Sequence, residues 1–180
     1  LREEIIMSHA RFFGVLIFLL ALPGLASAIG PHDSLNCTGC HAIHTAKGDI
    51  IFAVEPNQKA VNPRTRQPFT GVTALCLGCH ETPDNGGMGI LPVSAGHSHP
   101  FDVVPDPKKA TVPDMALRDG KLECVSCHDP HPSNPNYKYL RVDTANGTNM
   151  PVFCAMCHRS KVDPNTPTDI KIFSSMDERK

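Results

Sequence analysis

"CVSCHDPH", residues 124–131, places two cysteines and two histidines within eight positions. Its first five residues follow the pattern C-x-x-C-H, which recurs as CTGCH at 37–41, CLGCH at 76–80 and CAMCH at 154–158. Together the four motifs use all eight cysteines of the chain. With 10 histidines in 180 residues, four chance placements after a cysteine pair have a probability of about 1 in 100,000, so the pattern reads as chemistry. A disulfide framework accounts for paired cysteines but gives no reason for the histidines.

C-x-x-C-H is the attachment motif of c-type haem. Two cysteines three positions apart stand on neighbouring points of a helical turn, where their sulfurs can bond to the two vinyl groups along one porphyrin edge. The next residue projects over the ring, and its imidazole becomes the proximal iron ligand. This assigns Cys37, Cys40, Cys76, Cys79, Cys124, Cys127, Cys154 and Cys157 to thioethers with four haem c groups, and His41, His80, His128 and His158 to their irons. Two zinc sites of four cysteines each are the competing reading, but zinc gives no role to the four histidines.

Five histidines remain for four distal positions: His32, His44, His97, His99 and His131. His128 and His131 are three residues apart, so on a helical turn they share one side, with about 5–6 Å between their β-carbons. Axial ligands must approach an iron from opposite faces, so His131 serves a different haem from His128. The same holds for His44 and His41. The expected pairing gives His44 to the haem of His80 and His131 to that of His158. His99 then goes to the haem of His128, and His32 to that of His41 or into the other half. His99, followed by proline, is preferred over His97. Met88, Met115 and Met150 are alternative distal ligands, whereas Met156 lies inside CAMCH and cannot cross to the far face.

The haem-related residues occur in the same order twice, which suggests two copies of a two-haem unit over residues 29–90 and 91–160. The boundary is expected in the turn-rich "ETPDNGGMGILPV", 81–93, and residues 161–180 read as a charged, solvated tail. Residues 7–28 have an apolar run from Phe12 to Leu22, a Pro23-Gly24 break and Ala26-Ser27-Ala28. These are the marks of a secretory signal peptide cleaved after Ala28, and the run is too short for a retained membrane span. Residues 29–180 are expected to be mostly loops with short α-helices packed around four covalently bound haems. Seventeen prolines and thirteen glycines point the same way. A short helix is expected at each motif and from Asp114 to Asp119, and "IIFAV" at 50–54 suggests a small hairpin.

The string "SHPFDVVPD…LRDGKLECVSCHDPHPSNPNYKYLR…FCAMCHRSK" resembles the doubled C-x-x-C-H family of multihaem cytochromes, in which Ser-His-Pro precedes Cys-x-x-Cys-His-x-Pro-His and a second haem site. The likeness covers residues 96–161 well and 32–80 more loosely, since "CHAIH" lacks the proline and no Ser-His-Pro precedes the first half. It implies bis-histidine haems and an electron-transfer role. The supply of histidine ligands argues against catalysis, and redox partners such as other cytochromes, a quinol-oxidising membrane complex or an outer-membrane conduit would all fit. A periplasmic or extracellular protein is expected. The alternatives are the haem subunit of a filament or membrane complex, or a small reductase with one open haem. A net charge of −1 and no basic run argue against nucleic acid as a partner.

Overall fold

The structure, a computed structural model, describes residues 31–48 and 50–175. The leader assigned to residues 1–28 lies outside the described residues. Four short α-helices carry the motifs: α1 (Asn36–Cys40), α2 (Gly71–His80), α3 (Cys124–Cys127) and α4 (Met150–Ala155). The remainder of the described chain is loop, 3-10 turn and isolated β-bridge, with no strand. The helix expected over 114–119 is only a 3-10 turn, Asp114–Ala116. Asp119 and Gly120 then adopt positive φ and fold Arg118 back onto Lys121. "IIFAV" forms isolated bridges from Phe52 to His41 and Gly48 in place of a hairpin of strands. Ile50 and Ile51 both sit at positive φ, a region that β-branched residues rarely enter. Bonds from Ala42 N–H to the Ile51 carbonyl (2.7 Å) and Ala53 N–H to the Cys40 carbonyl (2.8 Å) hold them there.

With so little regular structure, backbone polar groups must find partners elsewhere. Three buried asparagines supply many of them. Asn57 donates to the Leu77 and Asn85 carbonyls while its Oδ1 accepts from the Lys59 and Ala60 amides. Asn62 donates to the carbonyls of Phe101 and Asp102, and Asn134 to those of Asp129 and Leu140. Each knots one loop to another. Asn57→Ala should therefore cost about 2–4 kcal/mol, the sum of lost bonds and buried groups left unpaired. Denaturant titration against wild type measures it.

The apolar core is small. Leu75 and Leu77 of α2 are almost fully buried, and Leu77 packs with Ala60, Phe69 and Ala74. Phe69 stacks on Phe101 with centroids 5.4 Å apart. Burying a leucine contributes about 1.5–3 kcal/mol. A second group, Leu140, Val142 and Ala155, lies buried around the later motifs.

Contacts cross the boundary drawn near residue 90. Asp102 accepts from the Thr70 amide and hydroxyl at 3.0 and 3.1 Å and pairs with Lys121 at 3.0 Å. The Glu123 carboxylate accepts from the Thr73 amide at 2.8 Å, capping α2 from fifty residues away. Gly71 makes this possible. Its φ is +56°, and a Cβ there would stand 2.6 Å from Glu123 Oε1. Nor is 81–93 a free linker, because it folds over the C-terminus of α2. The amides of Met88, Ile90 and Val93 bond to the Gly78, Cys79 and His80 carbonyls at 2.8–3.0 Å, satisfying the open end of the helix.

The charged tail also departs from expectation. Most of residues 161–171 are exposed, as expected, but the next residues are docked: Phe173 exchanges bonds with Arg141, its amide donating to the Arg141 carbonyl and its carbonyl accepting from the guanidinium. The Ser175 amide donates to Asp129 at 2.9 Å, and Ser175 is buried. The apolar Ile170, Ile172 and Phe173 give this stretch something to pack, which the surrounding charges obscure. Among the described residues no helix is long and apolar enough to cross a membrane.

Candidate functional site

The motif helices end where the histidines must turn outward. His41 and His128 follow α1 and α3 in extended conformation (φ −120°, ψ 137° and φ −116°, ψ 143°), which takes each ring off its helix axis. His80 is the last residue of α2, and His158 follows a turn after α4. All four share one arrangement. Nδ1 faces a backbone carbonyl: Ile50 for His41 (3.1 Å), Ile90 for His80 (2.7 Å), Lys138 for His128 (2.9 Å) and Lys109 for His158 (3.1 Å). A carbonyl can only accept, so it fixes the proton on Nδ1 and leaves Nε2 as a lone-pair donor. Metal-bound histidines are oriented in this way.

Two of these rings face a second imidazole. His32 lies 5.8 Å from His80 and His99 lies 6.0 Å from His158, centroid to centroid. With metal–imidazole bonds of about 2 Å, as at zinc, two rings sharing one metal have centres about 6 Å apart. His32 is held by stacking on Tyr139, 5.2 Å away, and by its amide donating to the Tyr139 hydroxyl at 3.1 Å; that hydroxyl donates to Asp33. Its own Nδ1 is buried without a well-formed hydrogen bond, although the Pro130 carbonyl faces the ring. Burial, then His80, lower the His32 pKa, and crowding by the surrounding chain lowers that of His128. Both shifts favour the neutral imidazole, the form that binds metal.

The pairing differs from the one expected from sequence. His32 faces His80 rather than His41, and His99 faces His158 rather than His128. In each repeat the leading histidine reaches past the first motif to the second. Neither His44, which is exposed, nor His131 makes a ring contact with a motif histidine among the described residues. His97 points elsewhere, its Nδ1 3.0 Å from the Ser94 hydroxyl in an exposed turn. The Met88 sulfur lies 3.5 Å from Cys79 Sγ, on the attachment side of its motif.

No two of the eight cysteines are joined as a disulfide. Burial raises the pKa of Cys40, Cys79 and Cys157, and that of Cys127 to about 11. Cys76 and Cys124 lie side by side, the Cys76 thiol donating to the Cys124 sulfur, which raises the first and lowers the second. Among the described residues no group of three or more histidines, cysteines and carboxylates is placed to hold a metal ion. A haem iron asks only two ligands of the protein, the porphyrin supplying the rest. Large apolar side chains stand exposed beside the motifs, among them Ile43, Ile50, Ile51, Ile90 and Leu91. A flat apolar group would cover them. Paired thiols, oriented imidazoles and these apolar flanks fit covalent haem.

Residues 115–163 match the family model for the doubled CXXCH motif. The matched stretch holds the third and fourth motifs, supports a c-type cytochrome-like family and indicates covalent binding of haem c. No curated protein and no solved structure matches the chain. Sequence reasoning missed Tyr139, Asp129 and Ser175, which hold or contact distal candidates. The string "CHDPH" offers a faint signal for Asp129, a carboxylate two residues from a histidine.

Proposed function

We propose that the chain is an exported tetrahaem c-type cytochrome that carries electrons between redox partners in the periplasm or at the cell surface. One arrangement supports this most: four motif histidines with Nδ1 held by carbonyls, two of them faced by a second imidazole at the spacing of one shared iron. When bound, haem c supplies an iron that accepts and returns single electrons, at a potential that two imidazoles keep lower than a histidine–methionine pair would. The chain's part is to anchor and orient. Eight cysteines would tether four groups, His32 and His80 would hold one iron, and His99 and His158 would hold another.

For the remaining two irons we assign His131 to that of His41 and His44 to that of His128. Three-residue spacing bars each from its own motif, and His80 and His158 are already matched. Residues 31–33 leading into α1 lie against Tyr139 and Pro130, which brings the neighbourhood of His131 beside the first motif. The attachment sites adjoin in chain order, Cys40 near Cys79, Cys76 against Cys124, and Cys127 near Cys157. The exposed cysteines, Cys37 and Cys154, belong to the first and last motifs. Partners such as other cytochromes, a quinol-oxidising complex or an outer-membrane conduit would meet the series at its two ends. With imidazole on both faces no coordination position would be left for a substrate, which favours electron transfer over catalysis.

Expressed in a host equipped for cytochrome maturation, the protein should weigh as the chain from Ile29 with four haems attached. Once reduced it should bind little carbon monoxide. A mass short of four haems overturns the count, and uptake equal to one haem overturns saturation in favour of a reductase. Uptake that appears only on dilution would mean that a second copy donates a distal imidazole, as in a filament.

A further inference from the structure

Five histidine Nδ1 atoms in the assigned ligand set face backbone carbonyls, His99 among them with Pro100 at 3.3 Å. His131 is different. Its Nδ1 lies 2.7 Å from Asp129 Oδ1, and that carboxylate is buried. Asp129 is held in place from two other directions: the Ser175 amide donates to Oδ2 at 2.9 Å and the Arg141 guanidinium stands 3.4 Å from Oδ2, while the Ser175 hydroxyl lies 3.0 Å from His131 Nδ1. Arg141 itself is anchored to the Val125 carbonyl inside the third motif at 2.6 Å. The imidazole of His131 remains about half exposed, with Nε2 free for a ligand.

We propose that Asp129 is a positioning residue that makes His131 the most electron-donating of the distal ligands, giving the iron it binds the lowest reduction potential of the four. A carboxylate on Nδ1–H raises imidazole basicity more than a neutral carbonyl does, and a more basic ligand stabilises ferric over ferrous iron. The docked C-terminal segment sets the degree of this effect, because the Ser175 hydroxyl as well as its amide bonds to the same carboxylate and draws part of its charge away. The inference rests on His131 being an iron ligand.

Potentiometric titration of the intact holoprotein reads it directly. Asp129→Asn should move the most negative of the four steps upward, changing its oxidised-to-reduced ratio at fixed potential about tenfold, or about 59 mV for a one-electron couple, while the other three stay in place. Ser175→Ala should move the same step slightly downward, and it keeps the test open if Asp129→Asn fails to fold. If neither variant moves one step alone, the inference is overturned. His131→Ala tests the underlying assignment separately: one haem in four should become high-spin, and four low-spin haems would sink the ligand assignment itself.

Discussion

His32→Ala should leave one haem in four with a single protein ligand. Low-temperature electron paramagnetic resonance of the oxidised protein should then show a high-spin signal amounting to one haem, and the reduced protein should bind one equivalent of carbon monoxide. The expectation follows from the 5.8 Å separation of the His32 and His80 rings, since His32 is the imidazole seated opposite His80. Tyr139 and Asp33 form the other side of the His32 pocket, so the alanine variant loses ring stacking as well as a ligand. His97→Ala is the control. That ring lies in an exposed turn against Ser94, and its removal should leave the spectrum as it was. A protein that stays fully low-spin in His32→Ala would show that His32 is not an iron ligand.

Gly87→Ala should be among the most destabilising single-atom additions in the chain, at about 3–5 kcal/mol. A Cβ at Gly87 would overlap the Glu81 carbonyl, a backbone group that cannot swing aside as a side chain could. Relief requires lifting residues 87–93 from the end of α2. That breaks the bonds from Met88, Ile90 and Val93 to the helix carbonyls, and it withdraws the Ile90 carbonyl from His80 Nδ1. Stability and ligation should therefore fail together. Gly96→Ala provides the comparison, because nothing lies within 4 Å of its added carbon and its effect should stay within about 0.5 kcal/mol. Equal midpoints for the two variants in denaturant titration would contradict the packing of this loop on α2.

The motifs are legible in sequence because haem attachment is a local problem: two thiols and an imidazole within five residues. Loop-rich architecture is legible for a similar reason, since prolines and glycines act where they stand. Which distal imidazole meets which motif is another matter. His32 reaches His80 because Tyr139, more than a hundred residues later, stacks on its ring, and no spacing rule contains that contact. The turn-rich 81–93 reads as a boundary, yet it is a helix cap, because glycine and proline mark a change of chain direction without saying what the turn lies against. Asn57, Asn62 and Asn134 look like ordinary loop residues. Their importance is that they are buried, and burial is a property of the fold. The tail misleads in the same way: its charges are visible in composition, whereas the partners of Ser175, Asp129 and His131, are supplied from the third motif.

The bond from Glu123 to the Thr73 amide has a consequence for biosynthesis. The helix bearing Cys76, Cys79 and His80 borrows its N-terminal cap from the residue just ahead of Cys124. Synthesis runs from the N-terminus, so the second motif is made before the carboxylate that caps its helix. That helix therefore gains its cap only once the third motif has followed.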